Sequence, residues 1–240
     1  MSDCASGAEI CLRVRELHAS YGDSQVLHGM DFEVPRGECV ALLGRNGAGR
    51  SSTLRAILGL VGRRTGSVLL NGRETISLPS HKIARLGIAY CPEDRSVFAS
   101  LTTDENLRLP PGLGDGALPT EKIYAMFPNL AASRLRLASR LSGGERQMLS
   151  IARGLRMGAS VFLLDEITSG LAPSLVQSIG GLLRSLKRQG LTILLVEQNY
   201  HFAASLADRS YIVERGRVRM EVRRGGRENT LAELQKYLGV

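Results

Sequence analysis

Short apolar runs alternate along the chain with stretches in which apolar side chains recur every three or four residues. Glu38–Leu43 (ECVALL) is an apolar run that ends at Gly44, and Ser51–Leu60 follows with helical spacing, so a strand, a glycine loop and a helix succeed one another. Val161–Leu164 and Leu191–Val196 are short and apolar on both faces, as buried parallel strands are, and the amphipathic stretch Leu175–Gln189 separates them. This alternation predicts an α/β fold with a mainly parallel, doubly wound sheet. Nearer the start, Leu12–Leu17 and Met30–Val34 read as strands of an antiparallel β layer, with Tyr21 and Gly22 in the turn region between them. From Asp94 to Leu155 the pattern changes to helices broken by Pro110–Pro119 (PPGLGDGALP), the pattern of a helical insert. One domain over residues 1–240 is expected, with a core of 1–93 and 156–240 and a helical subdomain of 94–155.

Composition narrows the class. With 43% hydrophobic residues in 240, the chain can bury a core without covalent staples. Cys4, Cys11, Cys39 and Cys91 lie far apart with no CxxC pair, which argues against a zinc site or a disulfide framework and suits a reducing cytoplasm. The opening residues MSDCASGAEICLRV lack the basic start and apolar run of a secretory leader. Apolar stretches such as Ile193–Val196 fall far short of the roughly 18 residues of a membrane span, so any membrane role is expected to be peripheral. The net charge is +8, but the basic residues are scattered and only Arg217–Arg227 is locally dense, so nucleic acid is not an expected partner. Lysine occurs only at 82, 122, 187 and 236, and the remaining positive charge is arginine.

Gly44–Ser51 reads GRNGAGRS, the phosphate-loop pattern GxxxxGK[ST] with Arg50 in place of lysine. A bland glycine turn before a helix is the alternative, but the strand before and the helix after supply the context the motif needs. Backbone amides of Gly44, Arg45, Asn46, Gly47, Ala48 and Gly49 can point at phosphate oxygens, and the helix start at Arg50, Ser51 and Ser52 adds its dipole. The Ser51 hydroxyl is placed to ligate magnesium. Downstream, VFLLDE ends a buried strand with two carboxylates, where open α/β sheets bind ligands. Asp165 is the candidate magnesium carboxylate, and Glu166 the candidate base that orients and deprotonates water. A solvated strand end is the plainer reading of the same pair.

Leu141–Glu145 reads LSGGE and precedes the helical run Arg146–Leu155. Ser142 and Glu145 form a capping box. Two glycines inside a helix start weaken it while baring amides to an anion. A glycine loop, then LSGGE, then LLDE within some twenty residues resembles the ABC ATPase family over essentially the whole chain.

The resemblance implies a P-loop NTPase fold with ATP and Mg²⁺ as ligands, and a catalytic dimer in which Ser142, Gly143 and Gly144 of one subunit grip the γ-phosphate held by the other. Ser169–Pro173 (SGLAP) would be the loop crossing between the two sites. Tyr21 falls where the family stacks an aromatic on adenine, with core packing as its alternative role. Glu93 falls where a glutamine usually meets both the magnesium shell and the membrane subunit, and Gln198 where a histidine usually contacts the γ-phosphate. His201, three residues on, reads as helix-surface decoration.

GRNGAG, Pro92–Arg95, Val97, Phe98, Gly170–Pro173 and Tyr237–Gly239 are similar to the branched-chain amino-acid importer ATPases. This implies integral membrane permease subunits and a second ABC ATPase subunit as partners, in a heterodimer or a homodimer, at the cytoplasmic face of a bacterial inner membrane. A urea or amide importer and a hydrolysis-impaired regulatory subunit are the alternatives. Two departures stand out: Ile167 replaces a usual proline, and Arg50 puts a planar fork where a compact ammonium belongs. The arginine reads either as drift in an arginine-rich chain or as the mark of a weakened site.

Overall fold

The computed structural model describes residues 9–113 and 116–224. Cys4, residues 225–227 of the basic stretch and Tyr237–Gly239 lie outside the described residues.

In chain order the elements are β1 (Ile10–Tyr21), β2 (Ser24–Pro35), β3 (Cys39–Leu43), α1 (Arg50–Ile57), β4 (Arg63–Leu70), β5 (Arg73–Glu74), α2 (Ser80–Ala84), β6 (Ile88–Cys91) and α3 (Thr103–Arg108). There follow α4 (Thr120–Met126), α5 (Pro128–Ala132), α6 (Gly143–Met157), β7 (Val161–Asp165), α7 (Pro173–Arg188), β8 (Thr192–Val196), α8 (Tyr200–Leu206), β9 (Arg209–Glu214) and β10 (Arg217–Arg223). One sheet is antiparallel, in the order β2-β1-β4-β5. The other runs β10-β9-β3-β8-β7-β6 and is parallel except where β10 returns along β9.

The continuous apolar runs follow from what covers the second sheet. Along β3, Cys39, Ala41 and Leu43 face one core with α6, α7 and α8, while Val40 and Leu42 face another with α1 and the antiparallel sheet. Ile193 and Leu195 of β8 take the first core and Leu194 and Val196 the second. Both faces being dry, no polar alternation survives in these strands. The hairpin sheet has one wet face, so Val14, opposite Phe32 on β2 and Val68 on β4, alternates with exposed polar residues.

The helix expected over 51–60 is shorter: α1 ends at Ile57. Gly59 adopts φ 69°, and Leu60 N–H turns back to the Arg55 carbonyl at 2.8 Å, a left-handed closure of the helix end. Strands β4, β5, β6, β9 and β10 and helices α2 and α8 go beyond the elements expected from the sequence; of these strands β5, β6 and β10 are sheet edges.

Candidate active site

β3, β8 and β7 are neighbours in the parallel sheet, so the segments leaving their carboxyl ends meet: Gly44–Gly49, Glu197–Gln198 and Asp165–Glu166. Asn46, Gly47, Ala48, Gly49, Arg50, Ser51, Ser52, Glu93, Glu166 and Gln198, with Val26 from β2, line a cleft of about 440 Å³. Gly44 and Arg45 lead into the loop. Gly49 caps α1 at φ 102°, and a Cβ there would lie 3.0 Å from Leu27 Cδ2 and 3.2 Å from the Gly216 backbone, so the turn that aims the helix start at the cleft has room for glycine alone. No side chain caps this helix start, which leaves its first-turn amides for an anion.

Arg50, 4% exposed, crosses the floor of the cleft. Its Nη1 donates to the Glu197 carbonyl at 2.6 Å, and its Nη2 to Glu166 Oε1 at 2.9 Å and to Asn46 Oδ1 at 3.4 Å. Burial pulls the guanidinium below its ordinary pKa, and the Glu166, Asp165, Glu197 and Glu93 carboxylates oppose that shift. Gln198 Nε2 donates to both Glu166 oxygens, at 3.2 and 3.0 Å. Glu166 itself sits at φ 45°, a left-handed conformation costing on the order of 1–3 kcal/mol for a non-glycine residue. The Val196 carbonyl fixes that backbone by accepting Glu166 N–H at 2.9 Å.

Ser51 Oγ donates to Asp165 Oδ1 at 2.7 Å, and the Tyr90 hydroxyl donates to Asp165 Oδ2 at 3.0 Å. Burial and the Asp165 charge push the Tyr90 phenol up, so it stays a donor. A hydroxyl and a carboxylate oxygen brought together are hard donors that fit Mg²⁺, which takes one or two protein oxygens and completes its shell with water and phosphate.

Tyr90, Glu197 and Thr168 escaped the sequence reading. Glu197, 2% exposed, accepts Thr168 N–H on Oε1 at 3.1 Å and the Thr168 hydroxyl on Oε2 at 3.0 Å. Burial pushes its carboxyl up to about 7 against those two donors. An acid directly after the buried run TILLV was the available signal, the same one that marks Asp165 and Glu166.

Other candidates stand apart from the cleft. Tyr21, 38% exposed, ends β1 beside the turn at Gly22 and does not line it. Ser142 caps α6 in a full capping box: Glu145 N–H donates to Ser142 Oγ at 3.2 Å and Ser142 N–H to Glu145 Oε2 at 2.8 Å. The two glycines have a packing reason within the chain. A Cβ on Gly143 would meet Arg95 Nη1 at 2.5 Å, and one on Gly144 would meet Leu175 Cδ1 at 2.6 Å. Ile167 is buried, and His201 is exposed on α8.

Residues 27–169 match the ABC transporter family. A high-affinity branched-chain amino acid transport ATP-binding protein, BraG of Pseudomonas aeruginosa, is 42% identical over 203 residues, covering 83% of this chain and 87% of that protein. A probable branched-chain amino acid transport ATP-binding protein, LivF of Archaeoglobus fulgidus, is 40% identical over 230 residues, covering 94% and 96%. A solved ATP-binding subunit of an ABC transporter superposes with a TM-score of 0.79 at 28% identity, covering 96% of this chain and 100% of that one. The motif order, the convergence of three strand ends and these matches place this chain in the ABC transporter family.

Proposed function

We propose that the chain binds and hydrolyses ATP as one of two ATP-binding subunits of a membrane importer, with branched-chain amino acids as the solute. The observation that carries the chemistry is the meeting of the Ser51–Asp165 pair and the Arg50–Glu166–Gln198 cluster at one cleft behind an uncapped helix start. The loop amides and α1 bind the phosphates. Ser51 and Asp165 would hold Mg²⁺, which would supply charge neutralisation for the phosphates. Glu166, oriented from both sides, accepts a proton from the attacking water, and Gln198 and Glu93 face the terminal phosphate and its shell. Tyr21 stacks on adenine, and Ser142–Gly144 complete the cleft of a second ATP-binding subunit, a related but different chain.

The solute class rests on the BraG and LivF likeness and on Glu93, Gln198 and SGLAP. Permease contact is supported by a groove of about 840 Å³ flanked by α2, β6 and α6, where Leu60, Phe98 and Leu109 expose apolar side chains. Pro92 and Asp94 line that groove on either side of Glu93, which lines the cleft, so one short segment touches both. Among the described residues no helix is long and apolar enough to cross a membrane; attachment to a permease at the cytoplasmic face is proposed on the support of the ABC transporter likeness.

Reconstitution tests the reading: vesicles carrying the complete importer are assayed for ATP-driven uptake of labelled leucine, isoleucine and valine. Uptake that Glu166→Gln abolishes is expected. ATP turnover without uptake of any of the three would reassign the solute, and no turnover by the wild-type complex would overturn the ATPase reading.

A further inference from the structure

Glu197 is tied to two parts of the site at once. Its main-chain carbonyl accepts the Arg50 guanidinium at 2.6 Å, while its carboxylate takes both donors of Thr168, the N–H at 3.1 Å and the hydroxyl at 3.0 Å. Thr168 lies two residues past Glu166 and opens the loop Ser169–Pro173; its carbonyl accepts Leu171 N–H at 3.2 Å, and the Ser169 carbonyl accepts Arg95 Nη2 at 2.5 Å. Arg95 in turn fills the space a Cβ on Gly143 would take, its Nη1 2.5 Å from that position. A continuous run of hydrogen bonds therefore leads from the P-loop through Glu197 and Thr168 to the crossing loop and Arg95, which packs beside the start of α6. The peptide between Glu166 and Thr168 has little freedom, because Ile167 is buried in the core and Glu166 is held left-handed.

We propose that Glu197 is a positioning residue that couples the P-loop to the Glu166–Pro173 segment: movement of Arg50 toward an incoming phosphate shifts the Glu197 main chain, and the carboxylate carries the shift to Thr168. This rests on the ATPase reading above. The carboxylate touches neither nucleotide nor water in it, so its loss acts on the alignment of Glu166 and of the crossing loop rather than on nucleotide binding. A misplacement of about 1 Å at a reacting group costs on the order of a hundredfold in rate.

The geometry distinguishes this from mere turn-capping. Glutamine at 197 accepts the Thr168 N–H through its carbonyl and donates its amide to the Thr168 hydroxyl, keeping both links, whereas alanine keeps only the backbone bond to Arg50. ATP turnover of the permease-bound complex is measured against ATP concentration for wild type, Glu197→Ala, Glu197→Gln and Thr168→Val. Glu197→Ala is expected to lower kcat about a hundredfold with KM little changed, Glu197→Gln to restore most of it, and Thr168→Val, one link short, to fall between. Wild-type kcat in Glu197→Ala, or equal losses in the alanine and glutamine variants, would overturn the coupling while leaving the ATPase reading intact. A wild-type complex without turnover would take down both. Should Glu197→Ala fail to fold, Thr168→Val decides: kcat at the wild-type level refutes the link.

Discussion

Replacing Arg50 with lysine asks whether the guanidinium restrains Glu166 or serves the phosphate. The fork spans two acceptors, the Glu197 carbonyl at 2.6 Å and Glu166 Oε1 at 2.9 Å, and the Arg50 and Glu166 side chains are only 4% and 11% exposed. A lysine that keeps the Glu197 carbonyl lacks the second nitrogen with which the fork now reaches Glu166. A hydrogen bond to a charged group contributes about 1.5–3 kcal/mol, so Arg50→Lys should destabilise the nucleotide-free chain by roughly that amount. At about 2–4 °C per kcal/mol for a chain of this size, the melting temperature should drop by roughly 3–12 °C. The same bond must loosen before Glu166 can take a proton, and at about 1.4 kcal/mol per decade its removal lowers the barrier by roughly tenfold to a hundredfold at most. A compact ammonium is also the point charge that the phosphate-loop pattern uses, and preorganised electrostatic contacts are commonly worth ~10² to 10³ in rate. We therefore expect Arg50→Lys to raise kcat about tenfold while lowering thermal stability without nucleotide. Phosphate release by the permease-bound complex and thermal melts of the free chain measure the two quantities. Turnover at or below wild type would refute the restraint and make Arg50 the adapted phosphate ligand.

Glu166→Gln should retain ATP binding and lose ~10² to 10⁴ in turnover, accumulating an ATP-bound dimer on size-exclusion chromatography; unchanged hydrolysis removes Glu166 from the role of base. Gly144→Asp adds a charge facing the partner's phosphate and a Cβ 2.6 Å from Leu175 Cδ1, so ATP-driven dimerisation should fail while nucleotide binding by the single chain survives. Normal dimerisation in that variant would reduce LSGGE to a helix cap. The Glu197 carboxyl, raised by burial from 4.5 to about 7, holds a proton in the folded chain that the unfolded chain has released, so its contribution is complete below the unfolded value and is lost as pH rises through about 7. Glu197→Gln should accordingly gain stability over wild type, by roughly 2–3 kcal/mol, as urea melts move from about pH 5 to about pH 8; a gap independent of pH contradicts the assignment.

What was legible in the sequence is what local pattern encodes. β3, β7 and β8 are dry on both faces, and their uninterrupted apolar runs announce it; the glycine spacing and the acid pair follow at fixed offsets. β4 was missed because its first five residues, RRTGS, carry no buried apolar side chain, and only Val68 and Leu70 enter the core. Tyr90 was missed for a different reason. Its hydroxyl reaches Asp165 only because β6 pairs with β7 in a register that sets Tyr90 beside Leu163, a non-local fact no window of sequence contains. Ser142–Gly144 illustrate the opposite limit: within one chain the capping box accounts for Ser142 and Glu145, and Gly143 and Gly144 pack under the side-chain ends of Arg95 and Leu175, so the phosphate role proposed for them needs a second chain.

Arg50 and Gln198 looked like separate departures along the sequence, but they converge in space on one carboxylate. Arg50 grips Glu166 at Oε1 and Gln198 bonds both of its oxygens, while Glu93 faces the same cleft and adds to the negative field around the guanidinium. Lysine at position 50, keeping the Glu197 carbonyl, would leave Glu166 to Gln198 alone. Histidine at 198, once protonated, would add a second cation beside Arg50, whereas a neutral amide supports Glu166 without repulsion. The guanidinium fork at 50 and the amide at 198 are thus complementary, so the lysine that the P-loop pattern prescribes has to be judged together with its neighbour at 198. A substitution at either position changes what the other must do, and their effects on turnover will not add.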